Sequence, residues 1–398
     1  MNEGIPSVWQ TWVEDACATV ADAGRWRAPR SFDARGHAGL VAAHGDDVPS
    51  RQVVSFASND YLGLATHPAV VAGAREALER WGAGSGASRL VTGSRPVHHT
   101  LESALAAWKG TEAAVLLPTG FAANLSVLSV FASDGAVVHS DALNHASIID
   151  GCRLARADVR IYPHGDLGRL DAALAESSGR SIVVSDTVFS MDGDSCDLDG
   201  LVEVAGRHGA LLVLDEAHAV LGPDLGATSH PDILRVGTLS KTLGSLGGFV
   251  AGPRRFVDLL VNRGRPYIFT TAPTPADAGA ALAALDVLRS DEGVRLRARL
   301  SRLVNRVADG IGVVGHASPI LPLVIGREED AVAASAALLE RGLWVPAIRP
   351  PTVAPGTSRL RITLSATHTD AQVDRLLAGL ATLVRPDDRD RPGVHSAA

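Results

Sequence analysis

The chain has 398 residues, of which 46% are hydrophobic and 20% are charged, a composition typical of a globular protein with a large buried core. Its formal net charge of −7 gives no basic field that would attract nucleic acid or an anionic membrane surface. No run of 18 apolar residues occurs, and the N-terminus lacks the apolar region of a signal peptide. We therefore expect a cytoplasmic protein that acts on small molecules and binds neither nucleic acid nor membrane.

The three cysteines, Cys17, Cys152 and Cys196, lie far apart in the sequence. This spacing suits neither a disulfide framework nor the paired ligands of a zinc site. We expect three reduced thiols and no metal site.

Between about residues 50 and 270, short apolar runs alternate with helical patterns, which is typical of an α/β protein. Most runs are continuously apolar, as expected of buried parallel strands. Seven strands are predicted, at Ala113–Leu117, Ala136–His139, Arg160–Tyr162, Ser181–Ser185, Ala210–Leu214, Arg235–Thr238 and Gly248–Ala251. Six helices are predicted in the same region, at Ala69–Trp81, Val97–Lys109, Ala122–Phe131, Ala146–Ala157, Leu167–Glu176 and Leu198–Arg207. The pattern predicts one large, mostly parallel sheet with helices on both faces.

After Thr274 the pattern changes to long helices and shorter strands, which indicates a smaller α+β domain. The predicted elements are helices at Pro275–Arg289 and Gly293–Ala308 and strands at Ile320–Ile325 and Leu360–Leu364. We divide the chain into an N-terminal segment (1–50), a large domain (51–274), a small domain (275–385) and a tail (386–398). The tail is charged and rich in proline, and we expect it to be disordered.

A single lysine follows the predicted strand that ends at Thr238. In the sequence Thr-Leu-Ser-Lys-Thr-Leu-Gly, Lys241 would lie at the carboxyl end of the strand, where open α/β sheets bind ligands. A desolvated lysine there can act as an amine nucleophile toward an aldehyde, and the hydroxyls of Thr238 and Ser240 can bind a phosphate. The alternative interpretation is a solvated lysine in a polar loop, and this segment alone does not decide between them.

An acidic residue ends another strand, in the sequence Asp-Glu-Ala-His from Asp215 to His218. A carboxylate there can pair with the pyridine nitrogen of pyridoxal 5'-phosphate (PLP) and make the ring an electron sink. Asp215 is the residue expected in that role, while His218 can donate to the phenolic oxygen. The competing interpretation is a helicase box, but it needs a GxxxxGK[ST] phosphate loop and the chain has none.

Three further strand ends carry groups suited to the same ligand. Gly120 and Phe121 open a helix just after Ala113–Leu117, where free backbone N–H groups can bind a phosphate. His145 can stack on a pyridine ring, and the hydroxyl of Ser190 can reach its phenolic oxygen. Each feature alone has a structural explanation, a plain turn or a core histidine, but their shared edge favours a PLP site.

A dinucleotide site is the main rival, because Gly82–Ala87 fits the loose pattern GxGxxA. That pattern requires a preceding strand and a following acidic residue at a set spacing. Here the preceding residues are helical in pattern, so we favour a loop near the active site.

Together, these residues resemble the α-oxoamine synthase family, whose members are fold-type I PLP enzymes with the aspartate aminotransferase-like fold. The similar motifs are SNDYLGL (58–64), GAGSGASRLVTG (82–93), TGFAAN (119–124), NHASIIDG (144–151), VFSMDGD (188–194), DEAH (215–218), TLSKTLGSLGG (238–248), IFTT (268–271) and IRPPTVAPGTSRLRITLSATHT (348–369). The IRPPTV portion most resembles the branch that acts in biotin biosynthesis. The aminoketobutyrate ligase and aminolevulinate synthase branches look different there.

The resemblance implies a PLP-dependent C-acyltransferase that condenses L-alanine with a pimeloyl thioester of coenzyme A or acyl carrier protein and releases carbon dioxide. Lys241 would hold the cofactor and move the Cα proton, with Asp215 and His145 as the other catalytic residues. The alternative is a related enzyme that uses glycine and a different acyl thioester. The resemblance also implies a homodimer with shared active sites, in which Thr270 and Thr271 reach the phosphate of the neighbouring subunit.

By the same resemblance, the cofactor contacts are Gly120, Phe121, His145, Ser190, Asp215, His218, Thr238, Ser240, Lys241, Thr270 and Thr271. The implied substrate contacts are Arg25, Asn59, His145, Arg349, Thr352 and Arg361. An arginine suits a carboxylate because its planar fork binds both oxygens. One departure from the family is Ala219, which stands where a glycine usually follows DEAH, and its methyl group is tolerated if φ is negative.

Overall fold

The computed structural model describes residues 7–43, 50–225, 230, 232–313, 316 and 318–383. The tail that we expect to be disordered, 386–398, lies outside the described residues. Within these ranges, no helix combines the length and the apolar character needed to cross a membrane.

The described chain alternates helices and strands. The helices are α1 (Val8–Asp22), α2 (Pro68–Trp81), α3 (Pro96–Lys109), α4 (Gly120–Phe131), α5 (Ala146–Ala155), α6 (Leu167–Ala175), α7 (Leu198–Arg207), α8 (Arg254–Arg263), α9 (Arg265–Ile268), α10 (Pro275–Arg289), α11 (Asp291–Ile311), α12 (Glu328–Glu340) and α13 (Asp370–Ala381). The strands are β1 (Arg30–Ala34), β2 (Ala38–Ala43), β3 (Arg51–Ser55), β4 (Ala113–Leu117), β5 (Val137–Asp141), β6 (Asp158–Tyr162), β7 (Ser181–Asp186), β8 (Leu211–Asp215), β9 (Ile233–Thr238), β10 (Gly248–Gly252), β11 (Ile320–Gly326), β12 (Leu343–Trp344), β13 (Ala347–Ile348) and β14 (Ser358–Thr363).

The largest sheet has seven strands in the order β4-β10-β9-β8-β7-β5-β6. Each corresponds to one of the predicted strands, with ends that differ by at most a few residues. Strand β10 runs antiparallel to both of its neighbours, and the pairs among the other strands are parallel. The prediction of a large, mostly parallel sheet is therefore confirmed.

Strand β8 shows why these runs are continuously apolar. Successive side chains of a strand point to opposite faces. Leu212 and Leu214 therefore pack with helices α6 and α7 on one face, while Val213 packs with α4 and α8 on the other. All three side chains are fully buried, and burial of each contributes about 1.5–3 kcal/mol. The next residue on the Val213 face is Asp215, so its side chain is directed toward α4.

Two smaller sheets lie outside this core. Strands β1, β2, β3 and β12 form one sheet, in which Leu343 of β12 pairs with Val54 of β3 in parallel. Strands β11, β14 and β13 form an antiparallel sheet, and β11 and β14 correspond to the two strands predicted after Thr274. Because β3 and β12 share a sheet, the N-terminal and C-terminal parts of the chain are joined directly, and the domain boundaries given above stay a prediction.

The Gly82–Ala87 segment follows helix α2. A dinucleotide-binding turn requires a strand immediately before the glycines. The dinucleotide alternative therefore fails on its structural context.

Candidate active site

Several strands of the large sheet end at the same edge, and polar side chains follow their carboxyl ends. Asp215 is the last residue of β8, and Thr238 is the last residue of β9. Lys241 lies in the turn after β9, and His145 caps the N-terminus of α5. Lys241 and Asp215 are close enough to His145 to affect its pKa. The structure thus places these predicted site residues together at the edge where open α/β sheets bind ligands.

The carboxylate of Asp215 is buried and held in a fixed orientation. Its Oδ2 accepts a hydrogen bond from Asn124 Nδ2 at 2.6 Å, and its Oδ1 accepts one from the backbone N–H of Ala217 at 2.9 Å. Hydrogen bonds of this kind stabilise the charged form of a carboxylate. Asp215 is therefore suited to face a cationic ring nitrogen.

The amine of Lys241 lies 2.8 Å from Nε2 of His218. Burial lowers the pKa of Lys241, while the charges of Asp215 and Asp186 raise it. A lysine with a lowered pKa has more of the neutral amine, which is the form that attacks an aldehyde. His218 is itself buried, and burial together with the charge of Lys241 holds its pKa well below the usual value.

His145 is fixed by two hydrogen bonds, one at its backbone N–H and one at its ring nitrogen Nδ1. Its backbone N–H donates to Oδ2 of Asp186 at 2.8 Å, and Nδ1 lies 2.7 Å from the hydroxyl of Ser147. That hydroxyl also accepts a hydrogen bond from Asn124 at 2.8 Å, so one amide side chain connects Ser147 with Asp215. Burial lowers the pKa of His145, although Asp215 raises it. A fixed, uncharged imidazole of this kind is suited to stack on a flat ligand.

Asp186 is a second buried carboxyl group beside Asp215, and the two residues are opposite each other on β7 and β8. Burial, followed by the negative charge of Asp215, raises the pKa of Asp186 well above its usual value. Burial therefore favours the neutral acid at this position, where Asp186 orients His145 through the backbone N–H.

The N-terminus of α4, a cradle of free N–H groups, lies against Thr238 at the end of β9. The N–H groups of Gly120 and Phe121 are in the first turn of α4, where no helical acceptor is available, while Thr119 caps the N–H of Ala122 at 3.0 Å. A Cβ on Gly120 would come within 3.1 Å of the Cβ of Thr238, so glycine lets the two segments approach without displacing Thr238. The hydroxyls of Thr238 and Ser240 are 2.8 Å apart on the other side.

These groups fit PLP. The amine of Lys241 is suited to the aldehyde, Asp215 to the ring nitrogen, and the cradle at Gly120 to the phosphate. The assignment of these individual contacts stays a prediction.

Arg361 on β14 joins two other predicted residues. It is buried, and its Nε donates to the backbone carbonyl of Ser190 at 2.6 Å, while another guanidinium nitrogen donates to Oδ1 of Asn59 at 3.2 Å. A third bond reaches the hydroxyl of Thr363 at 2.9 Å. Burial lowers the pKa of Arg361, but a guanidinium stays protonated in proteins. The chain thus holds a fixed cation among predicted site residues.

Arg25, Arg349 and Thr352 lie where the N-terminal segment meets the C-terminal part of the chain. Arg25 forms an ion pair with Glu328 at 2.8 Å. Arg349 donates to the backbone carbonyls of residues 24 and 26, and Thr352 N–H donates to the carbonyl of Arg349 at 3.1 Å. These contacts secure the N-terminal segment, and a substrate role for the three residues stays a prediction.

Thr270 and Thr271 come just after the short helix α9. Thr270 is half-buried and Thr271 is exposed, and the neighbouring Phe269 ring is 70% exposed. Ala219 is not one of the two described non-glycine residues with positive φ, Asp134 and Arg156, so its methyl group brings no left-handed strain.

Sequence reasoning did not single out Tyr61, Asn124, Ser147 or Asp186, although all four contact predicted site residues. Tyr61, Asn124 and Ser147 lie inside the motifs SNDYLGL, TGFAAN and NHASIIDG. For these three, the available signal was a polar side chain within three positions of a predicted site residue. For Asp186 it was the position directly after the predicted strand Ser181–Ser185.

The loop that carries Ser190 is fastened by a histidine between two carboxylates. His164 Nδ1 lies 2.9 Å from Asp141, and its Nε2 lies 2.7 Å from Asp194. The ring also meets Phe189 edge-on, with 4.4 Å between ring centroids. Hydrogen bonds to Asp141 and Asp194 raise the pKa of His164 to about 10. His164 is therefore an imidazolium at neutral pH.

We expect His164→Gln to destabilise the fold by roughly 1–2 kcal/mol at pH 6, a value reduced for the exposure of Asp194. The folded pKa of about 10 is above the unfolded value of about 6.5, so this stabilisation is complete below pH 6.5 and is lost as pH rises toward 10. Urea unfolding of both proteins at pH 6, 8 and 10 measures the difference.

His139→Gln is the control. Because burial lowers the pKa of His139, the effect of this substitution on the free energy of unfolding should stay constant between pH 7 and 10. If His164→Gln lowers the free energy of unfolding equally at pH 6 and pH 10, the charged His164 between Asp141 and Asp194 is contradicted.

Comparison with known proteins shows which family this chain resembles. The family model for aminotransferase class I and II matches residues 51–380. An 8-amino-7-oxononanoate synthase from Anaeromyxobacter dehalogenans is 49% identical over 359 residues, which cover 85% of this chain and 88% of that protein.

Two solved structures are also similar. A serine palmitoyltransferase variant from S. paucimobilis, with PLP and myriocin bound, has a TM-score of 0.85 at 29% identity and covers 95% of this chain and 98% of its own. An 8-amino-7-oxononanoate synthase from Francisella tularensis has a TM-score of 0.70 at 28% identity and covers 83% of this chain and 97% of its own. The fold is therefore that of the fold-type I PLP-dependent transferases. The chain belongs to the aminotransferase class I and II family and, within it, to the α-oxoamine synthases.

Proposed function

We propose that the chain is a PLP-dependent acyltransferase that joins L-alanine to a pimeloyl thioester and forms 8-amino-7-oxononanoate, a step of biotin biosynthesis. In this reaction the bond from Cα to the carboxylate of alanine breaks and carbon dioxide leaves. A new bond joins Cα to the thioester carbonyl carbon, and the carrier thiol departs. The observation that carries the proposal is the 49% identity to the Anaeromyxobacter dehalogenans synthase over 85% of the chain.

PLP, when bound, withdraws electrons from the amino-acid Cα and so stabilises negative charge there. Lys241 attaches the cofactor, removes the Cα proton as the neutral amine and later returns it. Asp215 keeps the ring nitrogen protonated, and His145 stacks on the ring. Ser190 and His218 bind the phenolic oxygen.

Arg361 binds the carboxylate of the amino acid. Its bonds to Ser190 and Asn59 support this assignment, because they fix the plane of the guanidinium before substrate arrives. Its burial strengthens the attraction for an anion, since little water competes there. The bound carboxylate is thereby oriented relative to Lys241.

The principal alternative is a related α-oxoamine synthase that uses glycine and a different acyl thioester. A second alternative is serine with a palmitoyl thioester, since serine palmitoyltransferase is among the similar structures. Its 29% identity is well below the 49% identity to the Anaeromyxobacter dehalogenans synthase, so we favour alanine with a pimeloyl thioester.

A substrate panel tests the proposal. Purified holoenzyme is mixed with alanine, glycine or serine, each paired with pimeloyl, succinyl, acetyl or palmitoyl thioesters, and products are measured by mass spectrometry. We expect alanine with pimeloyl thioester to react at least about tenfold faster than any other pair, a discrimination typical of one or two methylene groups. Comparison of coenzyme A and acyl carrier protein as carriers identifies the preferred donor. Faster reaction of glycine or serine with another thioester would refute the proposal.

We also propose that the active form is a homodimer in which Thr270 and Thr271 reach the phosphate of the neighbouring subunit. The exposed Phe269 ring beside these threonines supports an interface at this surface. Helix α1 supports it too, because Trp9 and Trp12 are exposed on the described protomer. Light scattering of the purified holoenzyme gives the oligomeric state directly.

A further inference from the structure

A continuous hydrogen-bonded path joins the amine of Lys241 to the guanidinium of Arg361. Lys241 Nζ lies 2.8 Å from His218 Nε2, and His218 Nδ1 lies 2.5 Å from the hydroxyl of Tyr61. That hydroxyl donates to Oδ1 of Asn59 at 3.2 Å, and Arg361 donates to the same oxygen at 3.2 Å. Tyr61 is the one member of this path to which the proposed reaction gives no task.

We infer that Tyr61 is a positioning residue whose hydroxyl holds His218 through Nδ1 and lets this ring change tautomer when Lys241 gains or loses a proton. The inference rests on the proposed attachment of PLP to Lys241, but not on the proposed substrates.

The position of Tyr61 is fixed by its surroundings. Its side chain is 0% exposed, so water does not replace its hydroxyl as a partner of His218. The Tyr61 backbone donates to the carbonyl of Asn59 at 2.9 Å and accepts from Ala366 N–H at 2.8 Å. The centroids of the Tyr61 and His218 rings are 6.1 Å apart and the ring planes are tilted by 57°, so the two rings meet through their polar edges and are not stacked.

Two hydrogen-bond arrangements satisfy every polar group of the path. When Lys241 is an ammonium it donates to Nε2, the neutral imidazole carries its proton on Nδ1, and Nδ1–H donates to Tyr61. When Lys241 is a neutral amine it can accept from Nε2–H, and Nδ1 then accepts from the Tyr61 hydroxyl. The hydroxyl turns its one proton from Asn59 to His218 in this arrangement, and Arg361 still donates to the Asn59 oxygen. Only a group that both donates and accepts can serve the two arrangements. A tyrosine hydroxyl has that property, and a phenylalanine ring does not.

Removal of the hydroxyl affects the two arrangements unequally. In Tyr61→Phe, the ammonium form of Lys241 leaves a buried N–H on His218 without an acceptor, whereas the amine form leaves only a lone pair. A buried N–H without a partner is the rarer and more costly defect. The pKa of Lys241 should therefore fall in the variant. The other charged or titratable groups that act on this pair, Asp186, Asp215, His145 and Arg361, are present in both proteins.

The experiment measures how fast the full-length chain, stripped of cofactor, captures added PLP between pH 6 and 10. Capture forms a carbon–nitrogen double bond between Lys241 Nζ and the aldehyde carbon, with release of water, and absorbance reports it. Because PLP itself titrates identically in every sample, a change of midpoint belongs to the protein. In Tyr61→Phe we expect the midpoint to fall by at least about half a pH unit, with a correspondingly larger rate below it.

Tyr162→Phe is the matched control, because Tyr162 is also a buried tyrosine but lies on β6, outside the path. Its midpoint should stay within about 0.2 pH units of the parent value. A purely structural role of Tyr61 would slow capture at every pH and leave the midpoint in place, and this result would overturn the inference.

The mediation by His218 is tested in a His218→Gln background. There Tyr61→Phe should produce no further shift, since the group that transmits the effect is gone. An equal shift in both backgrounds would show that Tyr61 acts by another route. If the parent chain does not capture PLP on Lys241, both this inference and the proposed function fail. If capture occurs with an unmoved midpoint in Tyr61→Phe, only this inference fails.

Discussion

Lys241→Ala is expected to reduce turnover by at least about a thousandfold, because the substitution removes the group that moves the Cα proton. It also removes the amine that attaches the cofactor. After incubation with PLP and reduction with borohydride, the parent chain should carry one PLP-derived mass on the peptide that contains Lys241. The variant should carry none on a lysine.

The chain offers an internal control, since Lys109 and Lys241 are its only lysines. Lys109 is 10% exposed, and its Nζ lies 2.6 Å from a carboxylate oxygen of Glu216. It also lies over the Trp108 ring, 3.8 Å from the centroid. Because its amine is held by Glu216 and covered by Trp108, Lys109 should remain unlabelled, and Lys109→Arg should label like the parent. Label on Lys109, or substantial turnover by Lys241→Ala, would contradict the assigned role.

The strand ends of the large sheet could be predicted because the same physical pattern repeats at each one. A buried parallel strand requires a continuous apolar run, so the first polar residue after it marks the edge of the sheet. Asp215 after Leu211–Leu214 is an example. The resemblance to known motifs then attached chemistry to these positions.

The parts that the sequence did not reveal depend on contacts between distant segments. Strand β12 has two residues and pairs with β3, almost 290 positions earlier, so no local pattern predicts it. Helix α1 was missed because Trp9 and Trp12 are exposed on the described chain, and its apolar residues mark no core-facing stripe. Tyr61 was missed because only tertiary structure brings its hydroxyl to His218.

Asp215 and Asp186 allow a direct comparison, because they are adjacent buried carboxyl groups and only Asp215 is assigned to the ring nitrogen. Asp215→Asn keeps the shape and retains an oxygen for the N–H of Ala217. It removes the negative charge and also places an NH2 group where Oδ2 now accepts from Asn124. Loss of one partner of a buried charge pair costs about 3–5 kcal/mol, which corresponds to a fall in turnover of about a hundredfold to several thousandfold at saturating PLP. Steady-state kinetics together with the PLP dissociation constant measure this effect.

Asp186→Asn is the matched substitution and should cost less than about tenfold, since burial already favours the neutral acid at this position. The asparagine still offers an oxygen to the backbone N–H of His145, as Asp186 does at 2.8 Å. The difference between the two variants would then come from the charge of Asp215 and its hydrogen bond with Asn124, and not from the shape that the two substitutions preserve alike. Equal losses of turnover would instead show that Asp215 acts by its packing at the carboxyl ends of β7 and β8. The ring-nitrogen role would then have to be withdrawn.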